Sequence, residues 1–347
     1  MAKVKEFELA GIKFEEHDDF LELGDWWKEL AESRPNLVSY NWDIFKTMYE
    51  ERYNKKWEGH LTITKQKNIV GWKDGKLVGI LPLLFEEEAW ILPYSGHIPS
   101  FSFLIDPVYL HRFLEACDLP FYFDDVSPLY FDRNLAEAKY WFFSKSNVID
   151  LTNISTIDEY LESLPKKRRK ELRKIWDANT DVVAEEGCSE ELRKQFMDAS
   201  IQQWLDRNER LDLKLHLDNF VVDNSECPFD ITLFREGKPI AINRCIIEGN
   251  YLTDYLCAKL DASDYNIAFL AVLKNIEMVL KRGGVDYYDF CSAFPGNPFE
   301  TAYTYKKKFV NNDNFKCING MSYKKEMPSA PYYSLDEKEW IFADEDK

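Results

Sequence analysis

The stretch "PFDITLFREGKPIAINRCIIEGNYLTDYLCAKL", residues 228–260, decides the fold. Three largely apolar runs are separated by two short turns, one at Glu236-Gly237-Lys238 and one at Glu248-Gly249-Asn250. That pattern predicts three antiparallel strands joined by hairpins. The next segment, "SDYNIAFLAVLKNIEMVLKRGG" (263–284), has the apolar spacing of a long helix, and "VDYYDFC" (285–291) returns as a strand. A strand–helix–strand unit requires a crossover, so its two strands pair locally in parallel. Gly283 and Gly284 form the helix terminus, where either is free to take a positive φ.

Upstream, "TIDEYLESLPKKRRKELRKIWDAN" (156–179) reads as a helix in two pieces, because Pro165 suits a first helical turn. "SEELRKQFMDASIQQWLDRN" (189–208) reads as a second helix, with Leu192, Phe196, Ala199 and Gln203 on one face. The first half of the chain has the same grammar. A helical region covers roughly 18–57, where Trp42, Phe45, Met48 and Tyr49 fall at helical spacing. "NIVGWKDGKLVGILPLLFEE" (68–87) is a hairpin, "AWILPYSG" (89–96) and "SFSFLI" (100–105) are strands, "LHRFLEAC" (110–117) is a short helix, and "PFYFDDV" (120–126) is another strand. The fold class is therefore mixed α/β (α+β), with helices flanking mixed sheets in two tandem units. The expected divisions are residues 1–150, 151–325, and a loosely held acidic tail over 326–347.

The 347 residues carry a formal net charge of -17. Such a surface repels a nucleic-acid duplex or an anionic membrane, which leaves room only for a local basic pocket. There is no run of 18 apolar residues, so no membrane span is expected. The charged opening "MAKVKEFELAGIKFEE" lacks the apolar core of a signal peptide. The seven cysteines lie singly, with no CxxC, and the five histidines have no ligand-like spacing. Reduced thiols, no metal and a cytoplasmic location are the expectation. No GxSxG, HExxH, Walker loop or dinucleotide-binding fingerprint occurs.

Against the acidic background, seven of the nine residues 166–174 are Lys or Arg. Most charge runs are solvated faces. Here, however, Arg168 and Arg169 lie four and three residues before Leu172, beside the apolar stripe of Leu172, Ile175 and Trp176. With Lys166, Lys167 and Lys170 they are weighed evenly between an anion site and structural ion pairs. In "YDFCSAFPGNPFETAYTYKKKFV" (288–310), a loop leaves the last crossover strand at Asp289-Phe290 and leads to Tyr305-Lys306, where a lysine can neutralise a phosphate or carboxylate; the alternative is a plain edge segment with surface lysines. On the third strand of the hairpin set, Thr253, Tyr255 and Cys257 share one face and Asp254 and Leu256 the other, which makes Asp254 or Tyr255 a candidate acid or base. Arg244 is an unusual charge in an apolar run. Trp204 is either core or the lining of a substrate groove, and His97 is a lone loop histidine. Ser263 or Asp264 caps the next helix, whose start lacks glycines and carries Asp261 and Asp264.

Three features in order then resemble the FemAB-like branch of the GNAT acyltransferase superfamily, in particular its polysaccharide-operon group. They are the basic helix "SLPKKRRKELRK" from Ser163, the hairpin "REGKPIAINRCII", and the terminal Asp289-Phe290 with Tyr305-Lys306 and Phe309. The resemblance covers roughly residues 150–320, and the first half fits the family's degenerate first GNAT unit. Cys291 stands where the family has glycine after Asp-Phe, and Tyr265-Asn266-Ile267 where many relatives have Pro-Gly. The resemblance implies an N-acyltransferase with acyl-CoA as co-substrate and an amine on a glycan, peptide or small molecule as acceptor. It also implies an alternative, an aminoacyl-tRNA-dependent transferase acting on a cell-wall precursor or lipid. A third reading is a non-catalytic module that binds a phosphorylated ligand. Under the first reading Asp254 or Tyr255 handles protons. Arg168, Arg169, Lys170, Trp204, Arg244, Asp289, Tyr305 and Lys306 bind donor or acceptor.

Overall fold

In the computed structural model of the chain, residues 4–33, 41–54, 65–86, 89–93, 103–117, 120–124, 126, 140–206, 221–225, 228–261, 265–293, 295, 300–313, 318, 320–323, 332–334 and 337–341 are described. They form two compact units, Met1–Lys145 with Cys317–Lys347, and Ser146–Lys316.

The first unit begins with β1 (Lys5–Leu9) and β2 (Ile12–His17), followed by α1 (Gly24–Glu32) and α2 (Trp42–Asn54). Then come β3 (Lys65–Lys73), β4 (Lys76–Glu86), β5 (Ala89–Ile91), α3 (Leu110–Cys117), β6 (Tyr122–Phe123) and β7 (Tyr140–Ser144). Strands β1 to β5 make one sheet in sequence order. The β3–β4 hairpin forms as expected: Asp74 and Gly75 take φ of 51° and 76°, the left-handed pair that matches the twist of the flanking strands. The β1–β2 hairpin lies ahead of the first element read from the sequence. Its turn is Ala10-Gly11, at φ of 50° and 74°, and alanine there is no turn signal. A parallel bridge from Trp90 to Phe121 closes a crossover around α3, as the repeated grammar predicts. His97 lies outside the described residues.

The second unit contains β8 (Ser146–Asp150), α4 (Ile157–Ser163), α5 (Lys166–Asp177), β9 (Val182–Glu186), α6 (Glu190–Asp206), β10 (Pro228–Arg235), β11 (Lys238–Glu248), β12 (Tyr251–Lys259), α7 (Tyr265–Arg282), β13 (Tyr287–Ser292) and α8 (Glu300–Lys307). The helix predicted over 156–179 does break at Pro165. Its first piece opens with a capping box, in which Thr156 Oγ1 accepts from the Glu159 N–H and the Glu159 carboxylate accepts from the Thr156 N–H. The six-stranded sheet runs β8-β13-β12-β11-β10-β9, with β12 and β13 parallel across α7. One face buries Phe229, Ile231, Leu233, Ala241, Cys245 and Leu252 beneath α4, α5 and α7, and the other packs Ile242 and Ala258 on Phe196 of α6.

Two expectations are corrected. The unit boundary falls at 145/146, and residues 317–347 return to the first unit rather than forming a separate tail. There β14 (Gly320–Tyr323) inserts between β7 and β6, and β15 (Tyr332–Ser334) with β16 (Glu339–Ile341) extends the same sheet at the other side of β7. The acidic residues of this stretch hide short strands whose partner lies about two hundred residues earlier, a pairing that no local pattern announces.

Candidate functional site

The parallel pair β12/β13 is registered over Tyr251–Tyr287, Leu252–Tyr288 and Thr253–Asp289 only, although β12 runs on to Lys259. Past that point the two strands part. On the other side of β12 the register shifts: Cys245 faces Asp254 while Arg244 faces Leu256, so Tyr255 is the extra residue of a β-bulge. The bulge corrects the simple alternation read from sequence, because beyond it Cys257 pairs with Asn243 and falls on the same face as Asp254.

That face is polar where the strands part. The Tyr288 hydroxyl donates to Asp254 Oδ2 at 2.7 Å, and Asn243 Nδ2 lies 3.5 Å from the same oxygen. Behind Tyr288, Asn275 of α7 reaches its oxygen at 2.8 Å. Burial raises the Asp254 pKa, opposed by the Tyr288 hydrogen bond, the Lys306 charge and Asn243. Burial and the neighbouring Asp254 carboxylate hold Tyr288 protonated, far above the ordinary tyrosine range. Cys257 is pushed up to about 12, first by burial and then by Asp254.

Asp289 points to the opposite face, one position on from Tyr288. It is fully buried, accepting from the Tyr251 hydroxyl at 2.5 Å and from the Cys291 N–H at 2.7 Å. Cys291 itself sits at φ 63°. This is the left-handed backbone that glycine takes without strain and a cysteine rarely adopts. Its Sγ lies 3.1 Å from the Asp254 carbonyl oxygen.

Lys306 comes from α8, not from the edge segment that one reading of the sequence allowed. Its ammonium donates to the Phe290 carbonyl and lowers the pKa of both Asp254 and Asp289. Tyr305 anchors α8 by donating to the Ala268 carbonyl at 3.1 Å and by packing edge-on against Phe269 and Phe309. The structure therefore gathers Asp254, Asp289, Tyr305 and Lys306 around the parting strands, with Tyr255 at the bulge.

The other candidates lie elsewhere or are engaged within the fold. Arg244 is on the α6 face, 1% exposed, its Nε 3.3 Å from both oxygens of Asp230 and its Nη2 2.8 Å from Asp223. Its charge is answered by two carboxylates, because a buried guanidinium needs pairing. Arg168 donates to the Val310 carbonyl at 2.8 Å and straddles Asp313, Arg169 pairs with Glu162, and Arg173 pairs with Asp158. Thus the arginines of the basic helix tie α5 to its own unit. Lys166, Lys167, Lys170 and Lys174 are exposed, with no partner among the described residues. Trp204 belongs to α6, but its side chain, like Ser263 and Asp264, lies outside the described residues.

Sequence reasoning missed Tyr288, Asn243 and Asn275. The signal was present: Asn243 interrupts the same apolar run as Arg244, and Asn275 sits among Val272, Ile276 and Val279 on the buried side of α7.

No protein-family model and no curated protein matches the chain. Among solved structures, the crystal structure of FemX aligns over 96% of this chain and 98% of its own, with a TM-score of 0.52 and 11% identity. The chain has the FemX fold. L-PGS from Bacillus licheniformis aligns over 88% of this chain and 92% of its own, with a TM-score of 0.51 and 13% identity. At these identities the likeness concerns the fold. Each alignment takes in most of both units, and each unit has the crossover expected of a GNAT-like domain, so the FemX-like architecture here is two such units in tandem.

Proposed function

We propose that the second unit is an N-acyltransferase that forms an amide between an acyl donor, acyl-CoA, and an acceptor amine. The observation that carries the reading is the parting of β12 and β13 beside the buried Asp289 carboxyl, the partly buried Asp254 carboxyl and one lysine. Amide formation needs a deprotonated amine, a held oxyanion and a proton for the leaving group. Asp254 is suited to take the amine proton and to return it to the leaving thiolate as the carbon–sulfur bond breaks, since its raised pKa brings it nearer to working pH. The backbone of β12 beyond Thr253 supplies N–H groups toward a donor carbonyl, and the Lys306 ammonium offers positive charge to the oxyanion or to donor phosphates. Asp289, with the Tyr251 hydroxyl, fixes the end of β13 on which Cys291 and the Lys306 contact depend.

A second donor class is an aminoacyl-tRNA. The near-complete alignment with FemX favours it, as does the helix start at Tyr265-Asn266-Ile267, which lacks a glycine to bring backbone close to a pyrophosphate. Thermal unfolding with CoA, acetyl-CoA and charged tRNA tests the reading. A ligand at about a hundred times its dissociation constant stabilises by roughly 2.7 kcal/mol, a shift on the order of 2–4 °C or less for a chain of this size. A shift with CoA supports the first donor, and a shift with charged tRNA alone supports the second. No shift with any of them removes acyl transfer as the function.

A further inference from the structure

The polar chain behind Asp254 has only one consistent direction. Asn275 and Asn243 both approach the Tyr288 oxygen through amide nitrogens, at 2.8 and 3.4 Å. An amide nitrogen donates and never accepts, so the Tyr288 oxygen is the acceptor there. Its single proton is left for Asp254 Oδ2, 2.7 Å away. Asn243 supports this direction independently, because its Oδ1 accepts from the Cys245 thiol at 3.5 Å and its Nδ2 is left for Tyr288 and Asp254. Asn275 stands behind them. It is fully buried, its Nδ2 also lies 3.0 Å from Cys245 Sγ, and its Oδ1 has no donor among the described residues. At the far end, both contacts to the Asp254 carboxylate fall on Oδ2, and Oδ1 has no hydrogen bond among the described residues, while the side chain is only partly buried.

We propose that Asn275 and Tyr288 form a positioning relay that holds Asp254 as a carboxylate with Oδ2 tied inward and Oδ1 presented to the gap between β12 and β13. Asp254 then accepts a proton on one oxygen only, and the group it meets there is an N–H donor, as an acceptor amine would be. The identity of that donor rests on the acyl-transfer reading, whereas the orientation of the carboxylate does not. The groups facing Asp254 are Tyr288 from β13, Asn243 and Cys245 from β11, Cys257 from β12 itself and Lys306 from α8, with the Cys291 sulfur against its backbone carbonyl. Of these, Tyr288, Asn243 and Lys306 favour the anion.

The test is a carboxyl titration by NMR of the full chain carrying ¹³C-labelled aspartate, with the Asp254 signal assigned by its loss in Asp254→Asn. Tyr288→Phe removes one hydroxyl at nearly constant volume and deletes the donor that favours the anion. The Asp254 midpoint is expected to rise by about half a unit or more, roughly threefold in the proton-binding constant. Asn275→Leu, which frees the Tyr288 proton to rotate, is expected to raise it by a smaller amount and serves if Tyr288→Phe does not fold. A midpoint that falls in Tyr288→Phe means the chain runs the other way, from a protonated Asp254, and overturns the proposal. An unchanged midpoint in both variants reduces the chain to packing and overturns it equally. A rise without detectable acyl transfer to any amine leaves the relay standing and removes the proposed function instead.

Discussion

Asp289 is a fully buried carboxyl whose pKa is pushed up to about 6. Lost hydration is the largest cause, opposed by hydrogen bonds from Tyr251, the Cys291 N–H and Ser146 and by the Lys306 charge. Folding thus strengthens proton binding relative to the ordinary value of 3.8. The stabilisation this confers is complete below about pH 4 and is lost as pH rises through about 6. Asp289→Asn stays neutral throughout, so between those limits its stability is expected to gain on the wild type by on the order of 2–3 kcal/mol. Urea melts of both proteins at pH 4 and pH 7.5 measure the difference. Arg244 supplies a second prediction. Replacing it by Ala strands the buried Asp230 without its partner and is expected to destabilise by about 3–5 kcal/mol, whereas Arg244→Met combined with Asp230→Leu recovers much of that loss. Asp254 was legible as a candidate because it is an acid in a predicted strand next to a predicted crossover. Arg244 looked equally exceptional in sequence. Only the register, which places it opposite Asp230 on the other face, separates the two.

Helix α5 was legible as an element and ambiguous as a surface. Its break at Pro165 and its apolar stripe at Leu172, Ile175 and Trp176 are local properties, and both are found in the structure. Whether its cations serve a ligand or the fold depends on Asp313, Glu162 and Asp158, and no spacing rule points to Asp313, which lies 145 residues away. Arg168→Ala removes a half-buried hydrogen bond to Val310 and the Asp313 contact, and is expected to destabilise by about 1–2 kcal/mol. Arg169→Ala breaks a solvent-exposed pair with Glu162 and is expected to stay within about 0.5 kcal/mol of wild type. Chemical denaturation of the two single variants separates the roles. Equal effects would contradict the assignment of Arg168 as the tie between α5 and the segment after α8. The hairpins divide in the same way: Asp74-Gly75 and Glu236-Gly237 announce their turns as a glycine between two apolar runs, while Ala10-Gly11 adopts the same left-handed pair between two charge-rich runs that announce no strands.

At the scale of the molecule, β14 lies between β7 and β6, so the segment after residue 316 is structural for the first unit. A chain ending at Lys316 is expected to lose amide-exchange protection in β6 and β7 by a factor of ten or more, roughly 1.4 kcal/mol of local stability. Protection in β10 to β12 is expected to persist, because their partners all lie within Ser146–Lys316. Hydrogen exchange read by mass spectrometry distinguishes this from a dispensable tail, whose removal would change neither set. The sequence by itself determined the alternation of hairpins and helices, the crossover after Tyr265, and the doubling of the pattern along the chain. Those features follow from periodicities of two and 3.6 residues and from turn chemistry, all of which act over a few neighbouring positions. Tertiary structure alone decided the bulge at Tyr255, the early end of the β12/β13 register, the return of the last strands to the first unit, and the meeting of Asn275, Tyr288 and Asp254. Each of these is a contact between segments distant in sequence, set by packing and by the need to satisfy buried polar groups, and neither requirement leaves a periodic mark on the chain.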